Sequence, residues 1–144
     1  MYLAAARVND PRVVIDRKLY WATAADVDEA RYPVAVLNSD ALLQLIRPLR
    51  ARGEHNPRDF DKYVFRVPIP LYDAGDDVHR GLVALARRAE EVAAGVSLPA
   101  GVSFQVLRRR IRTELAASSL AVDLDTAVEV LLATRTPTPT ANTL

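Results

Sequence analysis

The chain has 144 residues, half of them hydrophobic and about a quarter charged, with a net charge of +1 and no cysteine. That length suits one domain with a real core, and the near-neutral charge excludes a general electrostatic attraction to DNA or to a membrane surface. The missing cysteines exclude disulfides and thiolate zinc sites and point to a reducing cytoplasm; no apolar run approaches the ~18–20 residues of a membrane span.

Met1 to Arg7 is apolar without a preceding basic region, a poor signal peptide. Val13 to Ile15 and Leu19 to Thr23 are β-branched and aromatic. They predict one long bent strand or a hairpin, with Asp16 and Arg17 at the bend. Asp26, with Glu29 three residues on, opens a first helix that runs to about Leu37. Pro33 predicts a kink there, or a helix that starts only near it. Ser39 caps a second helix through Leu42, Leu43, Leu45, Ile46 and Leu49. Arg50 to Pro57 reads as loop. Val64 to Pro70 reads as extended, because Pro68 and Pro70 each push the preceding residue out of the helical region.

A third helix is capped by Asp77 and stopped by Gly95, with Val78, Leu82, Leu85, Ala86, Ala89, Val92 and Ala93 on its apolar face. A fourth starts at Ser103 and turns Phe104, Leu107, Ile111 and Leu115 to the core. A fifth runs from about Asp123 to Thr134. Residues 135–144 have little to bury and predict a disordered tail. The expected fold is α+β and helix-dominated: a small N-terminal β-sheet packed on a helix pair, followed by a C-terminal helical layer. Residues 1–134 form one domain.

Charge is concentrated between Arg31 and Arg66, where seven basic and four acidic residues give a local net of +3 and leave about −2 for the rest. This basic segment also holds Phe60, Tyr63 and Phe65. A charged loop anchored by apolar residues presents a binding surface. Arg50, Arg52, Arg58 and Lys62 are placed to neutralise phosphates, and His55 and Asn56 to reach base edges. The opposing reading is a solvated loop whose charges pair with Glu54, Asp59 and Asp61.

Other polar groups read as structural. His55 and His79, the two histidines, lack neighbouring metal ligands at a fixed spacing and are expected at the surface. Asp76-Asp77 and Asp123-x-Asp125 sit at helix starts and read as caps. Ser118-Ser119 has no nearby base. Arg108 to Arg110 with Arg112 forms a second basic run, either a solvated helix face or a second surface for a nucleic-acid backbone. Tyr20 and Trp21 suit the core or an interface, and a base-stacking role is the alternative.

The order of pieces carries a resemblance. Lys18-Leu-Tyr-Trp21, then Leu37-Asn-Ser39, then the basic Arg/Gly segment, then Val67-Pro-Ile-Pro70 with Asp73 behind it resembles the C-terminal target-recognition region of adenine-N6 DNA methyltransferases of restriction–modification type, the TaqI-like and Eco57I-like specificity domains. The likeness spans residues 8–95, with 96–134 as a helical extension. These residues carry only Asn56-Pro57-Arg58 where the family's catalytic part has Asn-Pro-Pro-aromatic, and their five glycines are scattered rather than grouped for S-adenosylmethionine. The resemblance therefore implies DNA recognition without catalysis, metal or cofactor. Its partners would be double-stranded DNA and a separate catalytic methyltransferase polypeptide. The alternative is a protein-interaction module. In either case a homodimer is expected, joined through the N-terminal strand.

Overall fold

A computed structural model describes residues 8, 10, 12, 14, 20–49 and 64–134. Among the described residues lie five α-helices, α1 (Val27–Leu37), α2 (Asp40–Ile46), α3 (Asp77–Gly95), α4 (Phe104–Ala117) and α5 (Leu120–Ala133), with a 3-10 turn at Arg47–Leu49 after α2. None of them is long and apolar enough to cross a membrane.

The first helices begin where side-chain acceptors are available. Asp26 accepts from the amides of Asp28 and Glu29, at 2.9 and 2.8 Å, and the Glu29 carboxylate reaches back to the Ala25 amide. Together these satisfy the open amides of the first turn of α1. Pro33 lies inside α1 on its exposed side, and the helix continues through it. The tertiary packing of Tyr32, Ala35 and Val36 outweighs the one backbone bond that Pro33 removes. Asp76, rather than the expected Asp77, caps α3: its carboxylate accepts from Val78 and His79, while Asp77 pairs with Arg80. The last helix begins at Leu120, three residues before the expected Asp123, because Ser119 adopts the left-handed conformation (φ 58°) and reverses the chain directly after α4.

The core lies between α1, α2, α3 and α5. Tyr32, Ala35, Val36, Leu42, Leu82, Val83, Ala86, Val128 and Leu131 are buried together in it. Each fully buried Leu or Val there contributes roughly 1.5–3 kcal/mol relative to exposure. By contrast, α4 packs on α3 and α5 without burying a single residue completely. Leu107, Ile111 and Leu115 are half-buried, and Phe104 is 72% exposed rather than turned to the core as expected.

The expected N-terminal β-sheet is not seen: the described residues contain no strand. Tyr20 to Thr23 are irregular and exposed, and Val14 is 92% exposed. Val13 and Ile15 to Leu19 lie outside the described residues. The segment expected to be extended, Val64 to Pro70, instead makes tight turns. The Val67 amide donates to the Val64 carbonyl at 3.2 Å, and that of Ile69 to the Val67 carbonyl at 2.8 Å. Pro68 and Pro70 have no N–H to give a ladder, so this segment offers Tyr20 to Thr23 no strand edge to pair with. Among the described residues the architecture is therefore a helical bundle preceded by the irregular Tyr20 to Thr23. The expected tail, 135–144, lies outside the described residues.

Candidate functional site

Arg50, Arg52, His55, Asn56, Arg58 and Lys62 all fall within residues 50–63, outside the described residues. The structure does define the frame from which that segment departs and to which it returns. On the entry side, Ile46 at the end of α2 is fully buried; on the return side, Val64 is 2% exposed, and the two pack together with Leu37, Leu43 and Val67 around them. This small second cluster pins both feet of residues 50–63 to one place on the bundle. Chain closure over such a span then has its ends already fixed by apolar burial.

The resemblance-bearing motifs build that frame. Leu37-Asn38-Ser39 is the corner between α1 and α2. The Asn38 side-chain amide donates to the Val34 carbonyl at 2.9 Å and closes the end of α1. Ser39, buried, donates to the Val36 carbonyl at 2.8 Å and accepts from the Leu42 amide at 3.2 Å. One hydroxyl thus ends one helix and starts the next. The amides of Asp40 and Ala41 are met from across the bundle by the Asp125 carboxylate, at 2.7 and 3.2 Å. Asp125 therefore caps α2 from within α5, not the start of its own helix as expected.

Val67, Ile69 and Tyr72 are half-buried against the main core, so the Val67-Pro-Ile-Pro70 stretch is a strap running from the second cluster to α3. It is tied at Asp73, whose backbone amide donates to His79 Nδ1 at 3.0 Å and whose carboxylate accepts from the Gly75 amide at 2.8 Å. His79 was expected at the surface. Its side chain is instead fully buried, with the ring centroids of Tyr32 at 4.6 Å and Tyr72 at 6.3 Å. Because Nδ1 accepts, the ring proton of the neutral form sits on Nε2, which faces the Tyr32 hydroxyl at 3.5 Å. His79 is a clasp, well removed from solvent.

Beside the return foot, Tyr20 and Phe65 meet edge to face with ring centroids 5.0 Å apart, although they are 70% and 63% exposed. Trp21, the neighbour of Tyr20, is 69% exposed. The expected core role of Tyr20 and Trp21 does not hold; aromatic faces lie open to solvent next to the basic segment.

Ion pairs lie between α1 and α3. Arg31 donates to Glu90 through Nε and a terminal nitrogen, at 3.0 and 2.8 Å, and Asp28 bridges Arg31 and Arg87 at 3.1 Å each. The hydrogen bonds that Arg31 donates to Glu90, aided by Asp28, hold its guanidinium still more firmly in its charged form, against the opposing effect of partial burial. On α4, Arg108, Arg109, Arg110 and Arg112 are all exposed. Two shallow clefts flank them. One, of about 650 Å3, runs between α3 and α4 and includes Glu91, Val96, Arg110 and Glu114. The other, of about 400 Å3, lies along the outer face of α4. No cluster of metal-ligating side chains occurs among the described residues. Ser118 gives its hydroxyl to the Leu115 carbonyl at 2.7 Å. Set against family models, curated proteins and solved structures, the chain matches none of them.

Proposed function

We propose that these residues form a non-catalytic DNA-recognition unit that resembles the specificity region of adenine-N6 DNA methyltransferases. The observation that carries the reading is the pinning of both feet of the basic segment at the Ile46–Val64 contact. A buried contact between residues flanking a basic segment is an arrangement that suits a reading loop. In this reading Arg50, Arg52, Arg58 and Lys62 contact phosphates, while His55 and Asn56 meet base edges. The exposed Tyr20–Phe65 pair and Trp21 stand beside the return foot, where aromatic faces suit contact with sugar or base. Binding is the whole task of these residues. S-adenosylmethionine and the flipped adenine would belong to a catalytic polypeptide bearing Asn-Pro-Pro-Tyr.

The test is fluorescence anisotropy of a mixed-sequence duplex with the wild-type chain and an Arg50→Ala/Arg52→Ala/Arg58→Ala variant. Salt-sensitive binding lost in the variant supports the reading; equal binding by both removes it. A second reading, a protein-interaction module, is favoured by the open aromatic patch itself. It expects a homodimer in light scattering that Trp21→Ser/Phe65→Ser converts to a monomer.

A further inference from the structure

Tyr32 is buried in the core and Tyr72 half-buried against it, whereas Tyr20, Trp21 and Phe65 are each about two-thirds exposed. Single exposed hydrophobics are ordinary on a protein surface. Tyr20 and Phe65, however, lie far apart in the chain and are brought ring to ring by the fold, edge to face at 5.0 Å, with Trp21 next to Tyr20. An edge-to-face contact covers part of one ring face. The exposure of both residues leaves the remaining faces to solvent.

Area indicates what such faces take. A buried aromatic side chain covers roughly 150–250 Å2, so at two-thirds exposure the three together present about 300–500 Å2. A stable protein interface takes about 800 Å2 from each partner, so the patch alone falls short of a second copy's needs. Aromatic side chains in this number suffice to stack the bases of a nucleic-acid strand, and stacking is indifferent to sequence because every base has a ring face. In a duplex those faces are covered by neighbouring base pairs. A platform of ring faces therefore selects bases that are unpaired. Arg47 supplies the complementary charge. It follows Ile46 as Phe65 follows Val64, so the Ile46–Val64 contact sets both at the same end of the bundle. Arg47 is exposed and bonds only to Gln44, at 3.5 Å, among the described residues. Arg66 is exposed as well but has a contact of its own, which leaves phosphate to Arg47.

We infer that Tyr20, Trp21 and Phe65 form a stacking platform for the bases of an unpaired DNA strand, with Arg47 on its phosphates. The inference rests on the nucleic-acid reading for its ligand class and adds a single-stranded ligand to the duplex. It uses no residue of the 50–63 segment.

Trp21 is the only tryptophan of the chain and reports its own contacts. The test titrates the full chain with a mixed-sequence single strand of about ten nucleotides, and with an abasic strand of the same length that keeps the phosphates. Trp21 emission is expected to fall with the first and hardly with the second. Phe65→Ala should weaken single-strand binding about tenfold, and Phe65→Leu, which keeps the bulk, carries the test if the alanine variant loses its helical circular dichroism. Arg47→Gln should flatten the log–log salt dependence by about 0.7, the share of one single-strand phosphate. Equal quenching by the abasic strand, or none by the single strand at the lowest salt, overturns the platform. So does a wild-type dimer in light scattering that Phe65→Leu converts to a monomer without any single-strand quenching, since the patch then belongs to a second copy. Duplex binding that depends on Arg50, Arg52 and Arg58, with no single-strand quenching, overturns the platform and leaves the loop reading intact. Single-strand quenching kept in the Arg50/Arg52/Arg58 variant, with no duplex binding by the wild-type chain, supports the platform and removes the loop reading.

Discussion

Arg31 and Arg109 are both helical arginines in a chain of almost no net charge, yet the bundle uses them in opposite ways. Arg31 lies between α1 and α3, gripped by Glu90 and Asp28, and its side chain is only 14% exposed. Arg109 lies on α4, in the open, beside two more arginines on the same face. The difference follows from where the core is. The pairs between α1 and α3 ride on the apolar interface that these two helices share in the main core, which fixes their geometry before any charge interaction is counted. No such interface lies under α4, which leans on α3 and α5 through half-buried side chains. Charges on the closed side serve the fold, whereas Arg109 on the open side stands exposed.

The sharpest way to break that contrast is to cut into each side equally. Leu82, fully buried on α3, is expected to cost about 2–5 kcal/mol on change to alanine, the range for deep Leu truncations. Ile111→Ala on α4 removes a half-buried side chain and is expected to cost about 1 kcal/mol. Urea melts of the two variants measure both. Equal losses would mean that α4 belongs to the core, and the division of labour drawn here would fail.

His79 tests the closed side at a single polar contact. His79→Leu keeps the bulk but removes the acceptor of the Asp73 amide, a part-buried hydrogen bond whose loss is expected to cost about 1 kcal/mol. His79→Gln, with an acceptor still within reach, is expected to recover part of it. A neutral His79→Leu in thermal melts would show that the strap from Val67 to Asp73 is held by Tyr72 and Ile69 alone.

Much of the helical layout is legible from the chain. Asp26 and Ser39 mark helix ends by local chemistry, Gly95 and Ser103 by position without a left-handed stop or a side-chain cap, and the apolar spacing of α3 names most of its inner face. The buried His79 was also legible in principle: His79, Leu82, Val83 and Ala86 fall at i, i+3, i+4 and i+7, one face of a helix. The missing sheet has a different origin. Leu19 to Thr23 has strand composition, but a strand exists only with a partner, and the prolines at 68 and 70 deny one nearby. Asp125 was beyond reach altogether, since its partners in α2 lie 84 and 85 residues away. Of the candidate site, the sequence names residues but not their neighbours; what structure adds is the frame at Ile46 and Val64 and the open faces of Tyr20, Trp21 and Phe65.

Asp125 gives a comparable effect. Asp125→Ala uncovers the first amides of α2 and is expected to cost about 0.5–2 kcal/mol, with Asp125→Asn recovering most of it. The loss should also raise hydrogen exchange in α2, the helix that supports the entry foot at Ile46. Exchange that rises elsewhere but not in α2 would remove Asp125 from that role.

The smallest effect carries the comparison itself, because its sign differs between the two sides. Arg31→Gln breaks a pair that is partly sheltered and is expected to destabilise by about 1 kcal/mol. Arg109→Gln removes one of several like charges at neighbouring helical positions. It is expected to stabilise the folded chain by a few tenths of a kcal/mol at low salt, the size of like-charge repulsion on a helix. Raising the salt towards 1 M shortens the screening length to about 3 Å, so the gain from Arg109→Gln should vanish while most of the loss from Arg31→Gln persists. Paired thermal melts at low and high salt read both signs. If Arg109→Gln destabilises at low salt by as much as Arg31→Gln, the α4 arginines are structural, and the charge they hold is already compensated within the fold.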